Sequence, residues 1–129
     1  MNQERIYQAG NALAEGDLYR GWFIGTFRQD APNDIRATQD VEIKWGVHNA
    51  GDHRPNWASN ATATSLCILI KGVFTIKLPE ATFTLSNEGD YLIWGPTIPH
   101  TWIAETETVT LTIRWPSAPN CVEEIVNRY

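Results

Sequence analysis

The chain has 129 residues, enough for one domain with one core and too few for two that each bury much. Hydrophobic residues at 43% against charged residues at 19% exclude a disordered or fibrous chain. A formal charge of −5, with ten Lys and Arg scattered along the sequence, argues against nucleic acid and anionic membrane as partners.

The start, "MNQERIYQAGNALAEG", is polar and acidic, without the basic front and apolar stretch of a signal peptide. No apolar run approaches the roughly 20 residues that span a bilayer, so a cytoplasmic protein is expected. Residues 1–17 read as an arm with one helical turn, since Ile6 and Leu13 are interrupted by glycines. From Leu18 the signals are those of strands: "YRGWFIGTF" is short and aromatic, and "VEIKWGVH" alternates strictly. In the latter Val41, Ile43, Trp45 and Val47 share one face and Glu42, Lys44, Gly46 and His48 the other. The polar face either meets water or, in an open barrel, lines the interior. "TSLCILI", "GVFTIKL", "ATFTLS", "DYLIW" and "VTLTIRW" continue the pattern, rich in Val, Ile, Thr and aromatics. Turn residues separate them at "NAGD", at Lys71–Gly72, at "LPEA" and at "SNEGD". Seven or more short strands without a long amphipathic helix predict an all-β sandwich or barrel over residues 18–116. After it, Val122, Ile125, Val126 and Tyr129 fall at helical spacing behind Asn120 as a cap, which predicts a short C-terminal helix over 117–129. Cys67 sits in "SLCILI", where a reduced buried thiol is expected; a bridge to Cys121 is the alternative.

"GDYLIWGPTIPH" resembles the second sequence motif of the cupins, small RmlC-like jelly-roll barrels. Gly89 and His100 keep that motif's spacing, Gly95 stands in its proline slot, Thr97 in its second glycine slot and Ala104 in its asparagine slot. "LCILIKGVFTI" resembles the end of the first motif, with Gly72 as the closing glycine, and the likeness covers roughly residues 41 to 115. The resemblance implies a single-domain jelly roll. Metal-binding cupins take two histidines and a glutamate from the first motif and one histidine from the second. Here the glutamate slot falls on Ser65, and the histidine slots on Ser59 and Ala61 or on Ala58 and Asn60. Only His100 is retained, so little tightly bound transition metal is expected. If one is present, a rebuilt site of His48, His53 and His100, with Asp52 or Glu42, would suit Zn, Fe or Ni.

His100 follows two prolines that stiffen its turn and is bracketed by Trp94 and Trp102. A neutral imidazole held there can bind a ligand, shuttle a proton or coordinate a metal; bracing the turn is the plainer alternative. His48, Trp57 (in the loop "RPNWASN"), Trp94, Trp102 and Arg114 join it as candidate ligand-binding residues, the arginine for a carboxylate or phosphate. Two functions are consistent with this set. One is a binding module that holds a small polar metabolite, a sugar or an organic acid, in a pocket centred on His100. The other is an enzyme, either a metal-assisted dioxygenase or an acid–base isomerase, using His100 and His48. The apolar C-terminal stripe, the long arm and the many tryptophans also lead us to expect a homodimer.

Overall fold

The computed structural model describes residues 7–28, 33–119 and 122–125. A short helix α1 (Ala12–Glu15) is capped by Asn11, whose Oδ1 accepts from Ala14 N at 3.0 Å while Glu15 Oε2 accepts from Asn11 N at 2.9 Å. The arm then makes one 3₁₀ turn over Asp17–Tyr19 and enters the barrel. Ten strands follow among the described residues: β1 (Trp22–Ile24), β2 (Glu42–His48), β3 (Trp57–Asn60), β4 (Thr64–Lys71), β5 (Phe74–Lys77), β6 (Thr82–Leu85), β7 (Tyr91–Trp94), β8 (Thr101–Ala104), β9 (Thr108–Trp115) and β10 (Val122–Ile125).

One sheet runs β1-β2-β9-β4-β7, a second β6-β5-β8, and β10 pairs with β3. Single bridges Ala58↔His100 and His53↔Ile103 join the β3 side to β8, so the smaller ladders together form the wall opposite the five-stranded sheet. All pairings are antiparallel. In the five-stranded sheet β2 and β9 turn mainly polar residues inward, whereas β5 in the opposite wall turns Phe74 and Ile76. Cys67, Leu69, Phe74, Ile76, Leu85 and Ala104 form the buried core, with Leu78, Leu92, Trp94 and Trp102 packed on it. Gly72, in the turn from β4 to β5, has φ +93°, and a Cβ there would collide with the Glu107 carbonyl oxygen.

The expected jelly-roll barrel is present, with two corrections. The predicted C-terminal helix is not formed at Val122–Ile125, which is strand β10, in register with β3 (Val122↔Asn60, Ile125↔Trp57). A helix this short is marginal in water, whereas β3 offers an open edge of backbone donors and acceptors. Asn120, Cys121, Val126 and Tyr129 lie outside the described residues. The aromatic segment 19–27 yields only three strand residues, because Arg20 (φ +57°) and Gly21 (φ +99°) turn the chain immediately before β1. Cys67 is a free, buried thiol.

Candidate functional site: a basic cavity in the barrel

The cross-strand register sets the lining of the barrel. Glu42, Arg114, Ser65 and Trp94 stand side by side across β2, β9, β4 and β7; Lys44, Thr112 and Cys67 form the next row, and Gly46, Thr110 and Leu69 the next. These rows face a cavity of about 600 Å³ that the opposite wall closes with Phe74, Ile76, His100 and Trp102. The arm adds Arg20 and Trp22, and the loop before β3 adds Arg54 and Pro55. The polar face of "VEIKWGVH" thus points inward.

His100 is held on both sides of its backbone: its N–H donates to the Ala58 carbonyl at 2.8 Å, and its own carbonyl accepts from Ala58 N at 3.0 Å. Its Nδ1 lies 3.3 Å from the Ile98 carbonyl, which can only accept, so Nδ1 carries the proton and Nε2 is left as an acceptor. The Trp94 ring packs against it at 4.8 Å between centroids. Burial pushes the imidazole down to about 4, with Arg54 and Arg114 adding to the effect and the Ile98 contact opposing it. His100 is therefore neutral at pH 7.

The turn that delivers it carries strain. Thr97, in the slot where the cupin motif has glycine, sits at φ +69°, and its N–H donates to the Asn60 carbonyl at 2.7 Å. The glycine-type backbone persists although the glycine does not.

His48 packs between Phe74 (5.4 Å) and Trp102 (4.5 Å). Gly46 makes room for it, since a Cβ there would lie 3.1 Å from His48 Nε2 and 2.7 Å from Thr110 Oγ1. Burial, then the Lys44 charge, lowers this imidazole to about 4 as well, against a weaker pull from Asp52.

The cations dominate the site. Arg20, Lys44, Arg54 and Arg114 line the cavity, and no described aspartate or glutamate does. Glu42 stands at the edge, where Oε1 meets Arg114 Nη2 at 2.6 Å and Oε2 accepts from Ser117 Oγ at 2.8 Å. The Arg114 guanidinium lies over the Trp22 ring at 4.1 Å and Lys44 Nζ at 5.8 Å, so one indole carries both cations on its π face. Burial, followed by Arg114, Arg54 and Arg20, pulls Lys44 down to about 8. Burial also lowers Arg114, with Glu42 working against it, and pushes the Cys67 thiol up to about 11.

Of the candidate binding residues, His48, Trp94, His100, Trp102 and Arg114 line the cavity. Trp57 does not: it opens β3, and it is the next residue, Ala58, that meets His100. The rebuilt three-histidine site is not assembled either. His53 is exposed, with Nδ1 3.2 Å from the Gly51 carbonyl, and stands outside the cavity lining. Among the described residues no three His, Cys, Asp or Glu come together to hold a metal ion. Two neutral imidazoles among four cationic side chains do not fit a divalent metal. Sequence reasoning missed Arg20, Trp22 and Arg54; nothing in their local sequence marks them. Ser65 and Cys67, by contrast, follow from the alternation of "TSLCILI".

No protein-family model matches the sequence, and no curated protein does. Solved structures do. A cupin protein from Bacteroides fragilis superposes with a TM-score of 0.57 at 21% identity, over 72% of this chain and 81% of that one. KdgF from Halomonas sp. gives 0.58 at 17%, over 64% and 74%. A variant of salicylate 1,2-dioxygenase from Pseudoaminobacter salicylatoxidans in complex with gentisate gives 0.57 at 14%, over 70% of this chain and 25% of that one. The chain has the cupin fold. At these identities the likeness concerns the cupin fold alone, and the chain spans about a quarter of the dioxygenase. No helix among the described residues is long and apolar enough to cross a membrane.

Proposed function

We propose that this cupin barrel binds a small organic anion, a sugar acid or another carboxylate, without a metal ion. The observation that carries the reading is the lining: four cationic side chains and no described carboxylate, in a chain whose formal charge is −5. Cationic side chains gathered in one cavity attract an organic anion, and a carboxylate bound there gains charge-assisted hydrogen bonds from guanidinium and ammonium groups. The body of the ligand lies against Trp94 and Trp102, and a ligand hydroxyl donates to His100 Nε2. One structural neighbour was solved with gentisate, itself an organic acid anion. A homodimer remains part of the proposal, with Tyr91 and Ile93 exposed on the edge strand β7.

The test is a thermal-shift and tryptophan-quenching screen of sugar acids, aromatic acids, dicarboxylates and the matching neutral sugars and alcohols. Carboxylates are expected to raise the melting temperature and neutral analogues not to; His100→Asn should keep the fold and weaken hydroxy-acid binding. Equal stabilisation by charged and neutral members of each pair would refute the reading. A second reading, acid–base isomerisation of such an acid, is favoured by one observation: the Ile98 carbonyl 3.3 Å from Nδ1 of the cavity-lining His100, a contact that leaves Nε2 to take up a proton.

A further inference from the structure

Lys44 is the one lysine of three in this chain that faces the cavity; Lys71 and Lys77 are exposed. Its stem is confined by the arm, because Gly21 passes so close that a Cβ there would lie 3.2 Å from Lys44 Cγ and 3.3 Å from Cε. Its ammonium end lies 5.8 Å from the centre of the Trp22 ring, in the cavity that Arg114, Arg54 and Arg20 also line, and no described carboxylate pairs with Lys44 itself; Arg114 is paired with Glu42. The remaining neighbours on its row are Thr112 and the protonated Cys67. A primary amine beside arginines that attract a carboxylate is the arrangement that recognises a molecule bearing both a carboxylate and a carbonyl.

Resting on the anion-binding reading above, we infer that Lys44 forms a reversible imine with an α-keto acid whose carboxylate is held by the neighbouring arginines. The step balances without oxidant or cofactor. The Nζ lone pair forms a C–N bond to the carbonyl carbon as the C=O π pair moves to oxygen, which takes a proton. Nζ then releases a proton to water, and the hydroxyl leaves as water when protonated, giving C=N. The lowered basicity of Lys44 serves this reaction. With its pKa about 8, the fraction of neutral amine at about pH 7.5 is roughly two-hundredfold larger than for an ordinary lysine. The arginines act twice, disfavouring the ammonium and drawing in the carboxylate.

The experiment incubates the whole protein separately with pyruvate, phenylpyruvate and α-ketoglutarate in the presence of cyanoborohydride, which reduces an imine to a stable secondary amine. Peptide mass mapping then compares Lys44 with Lys71, Lys77 and the N-terminal amine. At least one acid is expected to label Lys44 tenfold or more above the two exposed lysines. Phenyllactate, which has the carboxylate but no ketone, is expected to compete and to raise the melting temperature. Lys44→Arg, checked for folding by circular dichroism, is expected to lose the adduct. Labelling of Lys44 no greater than of Lys71 and Lys77 with all three acids overturns the imine. If phenyllactate still binds, the anion site survives that result; if it does not, both readings fall. Labelling of Lys44 that phenyllactate leaves undiminished also overturns the inference, because the amine would then react without the site. Since the wild-type map alone decides the matter, misfolding of the variant leaves the test intact.

Discussion

Glu42 is expected to be the most sensitive polar position in the barrel wall. Its side chain is 11% exposed and that of Arg114 18%, so the 2.6 Å pair is largely out of water. Glu42→Ala removes the partner of a buried guanidinium whose Nε has no acceptor among the described residues, and it strips the Ser117 hydroxyl of its own acceptor. Breaking a buried pair from one side costs about 3–5 kcal/mol, chiefly through the charge left behind. At roughly 3–4 °C per kcal/mol for a domain of this length, the melting temperature should fall by about 10 °C or more. Arg114→Met should cost somewhat less, because Ser117 continues to hold Glu42. The double variant Glu42→Leu with Arg114→Met leaves neither charge behind, and it should be more stable than the two single losses summed, with a coupling of about 2 kcal/mol. Urea unfolding followed by far-UV circular dichroism measures all of these without relying on Trp22, which the Arg114 change itself perturbs. Additive single losses below about 1 kcal/mol would show that the pair is solvated and that the charge argument for the cavity is wrong.

Acid should weaken the protein through its histidines before its carboxylates. His48 and His100 titrate near 4 when folded and near 6.5 when unfolded, so the unfolded chain binds more protons in between. Stability is therefore complete above pH 6.5 and declines as pH falls toward 4, whereas the share from Asp34, held near 2 by Arg36, is lost only below about 3.8. Urea midpoints between pH 7 and 4 should flatten in a His48→Gln, His100→Gln double variant; an unchanged slope would contradict the burial of the two rings. Thr97→Gly should stabilise the fold or leave it unchanged, despite the glycine's greater unfolded-state entropy, because it relieves a β-branched residue at φ +69°. A loss above about 1 kcal/mol on thermal denaturation would mean that the threonine side chain itself supports the turn. Sedimentation is expected to show a dimer that Tyr91→Lys and Ile93→Lys disrupt, and a 14.6 kDa species at tens of micromolar would refute it.

Much of the scaffold was legible because antiparallel strands carry their own period. "VEIKWGVH" and "VTLTIRW" became β2 and β9, and Gly72 and Gly89 took the turn conformations that the motif spacing implied. Period alone, however, does not say which face is inside, so Glu42, Lys44 and His48 stayed undecided until β9 and β4 were paired beside them. Val122 and Ile125 misled for the same reason: over four residues, helical and extended spacing cannot be told apart, and only the free edge of β3 decides between them. β3 itself was hidden by the proline and two asparagines of "RPNWASN", whose backbone pairs with distant strands rather than with a hairpin neighbour.

The cations teach the converse lesson. Ten Lys and Arg scattered over an acidic chain give no local signal, yet four of them converge on one cavity from the arm, β2, the loop before β3, and β9. Residues that far apart in sequence are brought together only by the closure of the barrel. Their convergence also bears on metal binding: Ser65 offers neither imidazole nor carboxylate, and the surrounding cations oppose a divalent ion in the cavity. At an effective dielectric of about 20, each unit charge at roughly 8 Å repels or attracts another by about 2 kcal/mol. Three or four such terms weigh against a divalent cation twice over and in favour of a carboxylate. Burial first, and these same charges second, depress Lys44, so under the proposal made above the feature that draws in the anion also frees the amine that reacts with it.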